Sequence, residues 1–262
     1  SGKLDQTFSY LADYLDRSYE ITTKARNALI YPAFVIGVFC IVMILMLTTV
    51  IPKLSTILEE SGQAVPAYTA VVIALSEFLV NYGIFFLIIL IVAVGFAWRY
   101  VTTNKGQSWL SRVKLAVPYI GSLFRKLYLA RIADNMNTML SSGIPMVRAL
   151  EISSSVVGNK VYEDILNHAV EAVRGGSPVA DAMGGTKDIP NVMIQMIKIG
   201  EETGELGNIL KTLAHFYQRE VTNAVDTLVD LIEPAMIVLL GLGVGTLLAS
   251  VLIPIYNISS GL

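Results

Sequence analysis

The side chains that most often carry chemistry are few in this sequence. Its 262 residues contain two histidines, His168 and His215, and one cysteine, Cys40. The histidines are not in a metal-ligand spacing such as His-x-x-x-His, and a lone cysteine lacks a second thiol for a disulfide or a metal site. The glycine pairs at 175–176 and 184–185 are not followed by the Lys-Ser/Thr of a phosphate-binding loop. We therefore predict no catalytic residue, no metal ion and no cofactor.

The most distinctive polar stretch is Gly-Glu-Glu-Thr-Gly-Glu-Leu, residues 200–206. It places Glu201 and Glu202 at the predicted end of a helix, where the helix dipole disfavours negative charge. Gly204 suits a glycine helix stop, and Glu205 begins the next helix. Two interpretations stay open. The stretch is either a solvated helix end, or a hinge or docking edge for a cytoplasmic partner or a second copy.

Three long uncharged runs need surroundings other than an ordinary protein core. Their apolar centres are residues 33–50, 78–98 and 235–253. Each centre has about 18–21 residues, so that a helix of this length spans roughly 27–32 Å, the thickness of a bilayer core. The chain is 54% hydrophobic and only 15% charged, against about 25% charged residues in soluble domains. We predict three transmembrane helices.

The basic residues orient these spans. Residues 53–77 carry a single basic residue, Lys53, and the tail after the third span carries none, whereas the stretch from Arg99 to Arg131 has seven basic residues and no acidic one. The excess of Lys and Arg marks the cytoplasmic side. The N-terminus and the segment from about 100 to 230 are therefore predicted to be cytoplasmic. The net charge of −2 argues against nucleic acid as a partner.

An internal repeat with a constant offset of 202 residues relates the first and third spans. Pro32 aligns with Pro234, and Ile51-Pro52 aligns with Ile253-Pro254. The repeated unit is predicted to be a long helix that meets a proline at the membrane, crosses it, and ends at Ile-Pro, because proline kinks or ends a helix. The second copy is preceded by a helical domain, whereas the first is not, and the chain does not begin with methionine. We expect a further cytoplasmic bundle before Ser1.

The segment between the second and third spans shows helical patterns interrupted by turn residues. A short basic amphipathic segment, residues 107–117, is expected to lie along the membrane surface. Residues 141–143, ending in Gly143, are predicted to end one helix. Pro145 starts the next helix at a position where its missing N–H does no harm. We predict six helices in this segment. The core face of the helix over 191–203 is predicted to be Val192, Met193, Met196, Ile197 and Gly200.

The predicted fold is all-α, with three transmembrane helices, a cytoplasmic six-helix bundle, and a first bundle mostly absent from this chain. The predicted order along the chain is the final helix of a truncated bundle (1–31), transmembrane helix 1 (32–52), an extracytoplasmic loop (53–77), transmembrane helix 2 (78–99), the cytoplasmic bundle (100–230), transmembrane helix 3 (231–254) and an extracytoplasmic tail (255–262).

Several of these stretches together resemble one known family. They are residues 143–151, 200–206, 232–238 and 253–256, and with the duplicated unit they are similar to the type II secretion system protein F family, which includes the platform protein of type IV pilus assembly. The resemblance implies two homologous cytoplasmic bundles and three spans in the bacterial inner membrane. It does not distinguish a pilus from a secretion pseudopilus.

The resemblance also implies a function. Proteins of this family look like non-enzymatic platforms that link a cytoplasmic assembly ATPase to pilins or pseudopilins, alongside other inner-membrane assembly proteins, and a homodimer is the expected assembly. We expect the coupling surface to combine the Glu201, Glu202, Gly204 and Glu205 corner with the basic face of Arg125, Lys126 and Arg131. The alternative is an oligomeric transporter or channel component, although three spans without Asp, Glu, Lys, Arg or His in their centres weaken that interpretation.

Overall fold

The computed structural model describes residues 30–61 and 67–260, and before them Tyr19, Thr23, Arg26 and Asn27. These residues contain helices and turns and no strand, which confirms the all-α prediction. The helices are α1 (residues 30–45), α2 (Ile51–Ser61), α3 (Ala67–Val101), α4 (Asn104–Ala116), α5 (Ile120–Ser141), α6 (Met146–Val156), α7 (Lys160–Arg174), α8 (Val179–Met183), α9 (Asn191–Thr203) and α10 (Leu206–Ser260).

Two compact units make up the chain. The membrane unit contains the residues up to Ala97 and those from Val229 onward, and the bundle unit contains Trp98–Leu228. Three helical stretches are long and apolar enough to cross a membrane, namely Ile30–Ile57, Thr69–Val101 and Leu206–Ile253. Most side chains of their most apolar segments face outward, and in the second stretch none of that segment is buried. The prediction of three spans is thus confirmed by length and composition.

The helices do not end at the Ile-Pro pairs, which corrects the sequence interpretation. Five residues of π-helix, Met46–Val50, join α1 to α2, and α2 continues past Pro52 to Ser61. Helix α10 includes both Pro234 and Pro254 and ends at Ser260. Proline removes one backbone donor, but its φ is helical, so a helix can continue where that single lost bond is tolerated.

A serine on α3 compensates for the proline at position 52. In the π turn, the N–H of Ile51 donates to the carbonyl of Met46. The same pattern would pair the next carbonyl, that of Leu47, with the N–H that Pro52 lacks. The hydroxyl of Ser76, which is buried, donates instead to the Leu47 carbonyl. Because backbone groups inside a bilayer must be satisfied within the protein, this bond ties α3 to the first span.

Side-chain packing joins all three spans near this turn. The buried residues Leu47, Ile51, Val72 and Leu247 form one cluster. About one helical turn before Leu247, Gly243 on α10 lies against the ring of Phe39. A Cβ at this glycine would come within 2.4 Å of the ring. Small residues allow this close approach, which is the usual way in which membrane helices associate.

The bundle unit has a separate and larger core. Fully buried side chains from the six helices α5 to α10 form it, among them Ile132, Leu150, Leu166, Met183, Met193 and Leu210. Gly143 and Gly204 lie in turns and have φ values of 81° and 74°, a conformation that favours glycine. Pro145 is the N-cap of α6. These positions agree with the turns that the sequence predicts.

Helix α4 coincides with the amphipathic segment predicted over residues 107–117, and with it the described part of this unit contains seven helices rather than six. It packs against α5 and α7, with Leu115 buried. The backbone carbonyl of Ser111 accepts a hydrogen bond from Asn159 Nδ2 at 3.4 Å, and its hydroxyl accepts one from the Lys160 N–H at 3.3 Å. The amphipathic segment does not present one apolar face: Leu110 and Val113 are half-buried, whereas Trp109 is exposed, as is Arg112.

Candidate partner-coupling surface

Glu201 is used inside the bundle. Its carboxylate on α9 accepts hydrogen bonds from the N–H groups of Val179 and Ala180, at 2.6 and 2.8 Å. These are the first two N–H groups of α8, whose N-cap, Pro178, provides no side-chain cap. A carboxylate at a helix N-terminus accepts hydrogen bonds from N–H groups that have no partner within the helix. Its negative charge is also stabilised by the positive end of the helix dipole. The charge that is unfavourable for α9 is therefore compensated by α8.

The turn after Glu201 brings α9 and α10 into close contact. Gly204 ends α9 in the left-handed conformation. Gly200, one turn earlier, is buried, and a Cβ there would lie 3.0 Å from the Leu206 Cα and 3.1 Å from the Ile209 Cγ1. The remaining carboxylates are exposed, and Glu205 accepts a hydrogen bond from Asn208. This corner is a tight helix–helix turn with Glu202 and Glu205 on its surface.

The basic residues of α5 also have partners within the bundle. Lys126 Nζ lies 2.8 Å from a carboxylate oxygen of Glu220 on α10. Arg125 Nε lies 3.8 Å from Asp188, and its Nη2 donates to the Leu115 carbonyl at 3.4 Å. The hydrogen bond from Lys126, followed by its positive charge, lowers the pKa of Glu220.

The acidic corner and the basic face are not one surface. Arg125 meets Asp188 just before the start of α9, whereas Glu201 lies in the last turn of α9. The 13 residues of this helix separate its two ends by about 18 Å. Arg131 is half-buried on α5, with its Nη1 close to Gly158. The structure therefore places the predicted coupling residues at several sites rather than at a single one.

The exposed face of α9 contains apolar residues that the sequence interpretation assigned differently. Met193, Ile197 and Gly200 are buried as predicted, and Met196 is half-buried, but Val192 is 65% exposed. Ile199, which was not in the predicted core set, is 49% exposed. Positions 192, 195, 199 and 202 share one side of a helix with 3.6 residues per turn. We call Val192, Gln195, Ile199 and Glu202 the α9 face. The spacing of Val192 and Ile199, seven residues apart, is the signal that could have revealed it.

A shallow groove lies between α7 and α8, with a volume of about 480 Å³. Asp164, His168 and Asp181 are among its lining residues. Asp164 pairs with Lys160 at 3.2 Å. No group of three or more His, Cys, Asp and Glu side chains that could hold a metal ion occurs within residues 30–61 and 67–260 or at the four described positions before them.

Three apolar spans and a separate helical bundle define an all-α, multi-pass membrane protein. The chain belongs to the type II secretion system protein F family, whose model matches residues 1–52 and 132–254. The two matched stretches end at Pro52 and Pro254, the equivalent prolines of the repeat. The family resemblance read from the sequence motifs is confirmed.

Named relatives come from both pilus and secretion systems. A type IV pilus assembly protein PilC from Thermus thermophilus is 37% identical over 98% of this chain and 64% of its own length. A protein of the same name from Pseudomonas aeruginosa is 33% identical over 99% of this chain and 70% of its own length. A type II secretion system protein F from Aeromonas hydrophila is 33% identical over 99% of this chain and 67% of its own length. The chain thus spans about two thirds of the length of these relatives.

Proposed function

We propose that this chain is a non-enzymatic platform in the bacterial inner membrane that assembles type IV pili or type II secretion pseudopili. The observation that carries the proposal is family membership, supported by relatives that are named as pilus assembly and secretion proteins. In this proposal the N-terminus and the bundle unit are cytoplasmic, because the basic residues concentrate there. The pilin or pseudopilin substrates meet the spans within the bilayer.

The partner that supplies energy is a cytoplasmic assembly ATPase, and the α9 face is its docking surface. Two exposed apolar side chains, Val192 and Ile199, lie in line with the exposed carboxylate of Glu202. A helix face of this kind offers apolar anchors with a charge at one end, which favours a specific protein contact over a lipid contact. The sequence has no phosphate-binding loop of its own, so ATP hydrolysis requires a partner.

Glu201 links this face to the rest of the bundle. It lies next to Glu202 but turns inward and holds the N-terminus of α8. A displacement of α9 on binding would therefore act on α8 through two charge-assisted hydrogen bonds. This proposal keeps the residues 200–206 expected from the sequence, but assigns Glu201 to internal transmission and Glu202 to contact.

Two exposed valines provide a matched test of the docking surface. Val192→Asp alters the α9 face, whereas Val156→Asp alters an exposed valine on α6. The full chain would be co-purified in detergent with the assembly ATPase from the same organism, and pilus or pseudopilus formation would be scored in cells. We expect Val192→Asp to abolish ATPase retention and filament formation, and Val156→Asp to preserve both, with equal protein levels.

The outcomes separate the parts of the proposal. Retention of the ATPase by both variants would refute the α9 face as the docking surface while leaving the platform role intact. A null strain that assembles normal filaments would refute the platform role itself. Movement of solute by the purified chain in liposomes would favour the transporter alternative.

A further inference from the structure

Helix α4 and the turn after it expose aromatic and basic residues outside the α9 face. On α4, Trp109, Arg112 and Ala116 are exposed at spacings of three and four residues, which places them on one side of the helix. The turn continues this surface with Val117, Tyr119 and Ile120, of which Tyr119 is 67% exposed. We call these six residues the Trp109 stripe.

Contacts within the bundle unit hold the N-terminus of α4 and the side of the helix that carries Ser111, so the direction of the stripe is fixed. Thr103 caps the helix by accepting a hydrogen bond from the Gly106 N–H at 3.2 Å. Gly106 packs so closely that a Cβ there would lie 2.0 Å from the Tyr100 carbonyl oxygen. Further along, Ser111 bonds to Asn159 and Lys160. These contacts leave the Trp109 stripe as the outward face.

The stripe must lie close to a membrane boundary. The candidate span Thr69–Val101 ends three residues before α4 begins at Asn104. Three Cα–Cα steps reach at most about 11 Å. The end of that span carries Trp98, 75% exposed, and Tyr100, 49% exposed, side chains that prefer the level of the lipid headgroups.

The positive charge of this segment indicates which ligand it binds at the membrane boundary. The whole stretch from Arg99 to Arg131 contains no acidic residue, and Arg99 and Arg112 are both exposed. Near an anionic membrane each basic side chain gains roughly a fivefold preference for the surface. Tyr119 adds backbone strain, with a φ of 61°, and such strain is frequent at ligand sites. We propose that the Trp109 stripe, together with Arg99, binds the headgroups of anionic phospholipids.

This binding is independent of pilus or pseudopilus assembly, since it depends only on the stripe and the bilayer. Trp109 and Tyr119 would insert among the headgroups and upper acyl chains, while Arg99 and Arg112 would contact phosphate. The bound lipid would hold the start of the bundle unit against the membrane surface, so that displacement elsewhere in the bundle acts against a fixed point.

The two tryptophans, Trp98 and Trp109, allow a direct test in the full chain. Trp98→Phe leaves Trp109 as the only tryptophan, and the protein would be placed in nanodiscs of equal parts phosphatidylglycerol and phosphatidylcholine. In one preparation only the phosphatidylglycerol carries brominated acyl chains, and in the other only the phosphatidylcholine does. We expect Trp109 fluorescence to be quenched severalfold more strongly by brominated phosphatidylglycerol.

Matched charge variants complete the test. In the Trp98→Phe background, Arg99→Gln with Arg112→Gln should equalise quenching by the two lipids. Lys198→Gln with Lys211→Gln, which removes two exposed charges from α9 and α10, should leave the difference intact. Equal quenching by the two lipids in the Trp98→Phe protein would overturn the anionic selectivity. Absence of quenching by either lipid would show that the stripe does not touch lipid and would favour a protein partner instead.

Discussion

The membrane unit and the bundle unit use the same apolar residue types in opposite directions. In the bundle unit Ile132, Leu150 and Leu210 are fully buried, whereas on α3 the side chains of Leu90 and Ile91 are 52% and 62% exposed. Water drives apolar side chains inward, but lipid does not, so helices within a bilayer associate through close packing and a few hydrogen bonds. The comparison shows that a leucine stabilises the bundle unit by being buried, whereas in the membrane unit an exposed leucine suits the surrounding lipid.

The largest expected difference between the units comes from removing a leucine. Leu150→Ala should lower the free energy of unfolding of the bundle unit by about 2–5 kcal/mol, because it leaves a cavity in a closed core. Leu90→Ala, at an exposed position of α3, should leave the unfolding midpoint nearly unchanged. Thermal unfolding of the full chain in detergent, followed by circular dichroism, measures both. Equal destabilisation would contradict the comparison.

Glycines should respond with opposite signs in the two units. Gly106→Ala should destabilise the bundle unit by about 1–3 kcal/mol, because the new methyl group would overlap the Tyr100 carbonyl oxygen. Gly95→Ala meets no atom within 4 Å and should stabilise α3 by up to about 1 kcal/mol through its higher helix propensity. The same unfolding experiment compares the two variants. Stabilisation by Gly106→Ala would contradict the close packing of Gly106 against Tyr100.

Loss of the hydrogen bond from Ser76 to the Leu47 carbonyl should destabilise the protein less than Leu150→Ala or Gly106→Ala. Ser76→Ala should cost about 0.6–1.7 kcal/mol by leaving the Leu47 carbonyl without its donor. Thr246→Ala removes a hydroxyl that donates to its own helix at Leu242, so it is the matched control. Pro52→Ala restores a backbone N–H, so a double-mutant cycle should give a smaller cost for Ser76→Ala in that background. An unchanged cost would mean that Ser76 does not compensate for Pro52.

The smallest effect should be the acid sensitivity of the Lys126–Glu220 pair. The hydrogen bond from Lys126 lowers the pKa of Glu220 in the folded protein, so this stabilisation is present above the unfolded pKa of about 4.3. It is lost as the pH falls through the lower folded value. Lys126→Met should therefore flatten the decrease of the unfolding midpoint below about pH 5 by a small amount, as for exposed pairs. Lys198→Met is the control and should keep the slope of the parent chain.

The sequence predicts features that depend on local chemistry or on total hydrophobicity. The uncharged runs identified the spans, and Gly143, Pro145 and Gly204 marked turns because few residue types suit those positions. The family motifs identified the family. Features that depend on long-range packing were not predictable. Glu201 appeared unfavourable at its own helix end because the α8 N-terminus that it caps is 21 residues away in sequence.

Side-chain exposure was the other weak point. Val192 fits an apolar pattern, and hydrophobicity alone assigns such a residue to a buried face. In the structure it is 65% exposed, on the α9 face. The continuation of the helix past Pro52 was equally hidden, because the compensating hydroxyl of Ser76 comes from another span.

The π turn before Pro52 also changes how the two halves of the repeat can be compared. It places five residues, Met46–Val50, in a wider turn, whereas the equivalent residues of α10 remain in a regular helix. One extra residue in a helical turn rotates everything beyond it by about 100°. Residues that align in sequence after the two Ile-Pro pairs thus point in different directions around their axes. A contact mapped on one half cannot be transferred to the other by alignment alone, which gives a duplicated segment two distinct outer surfaces.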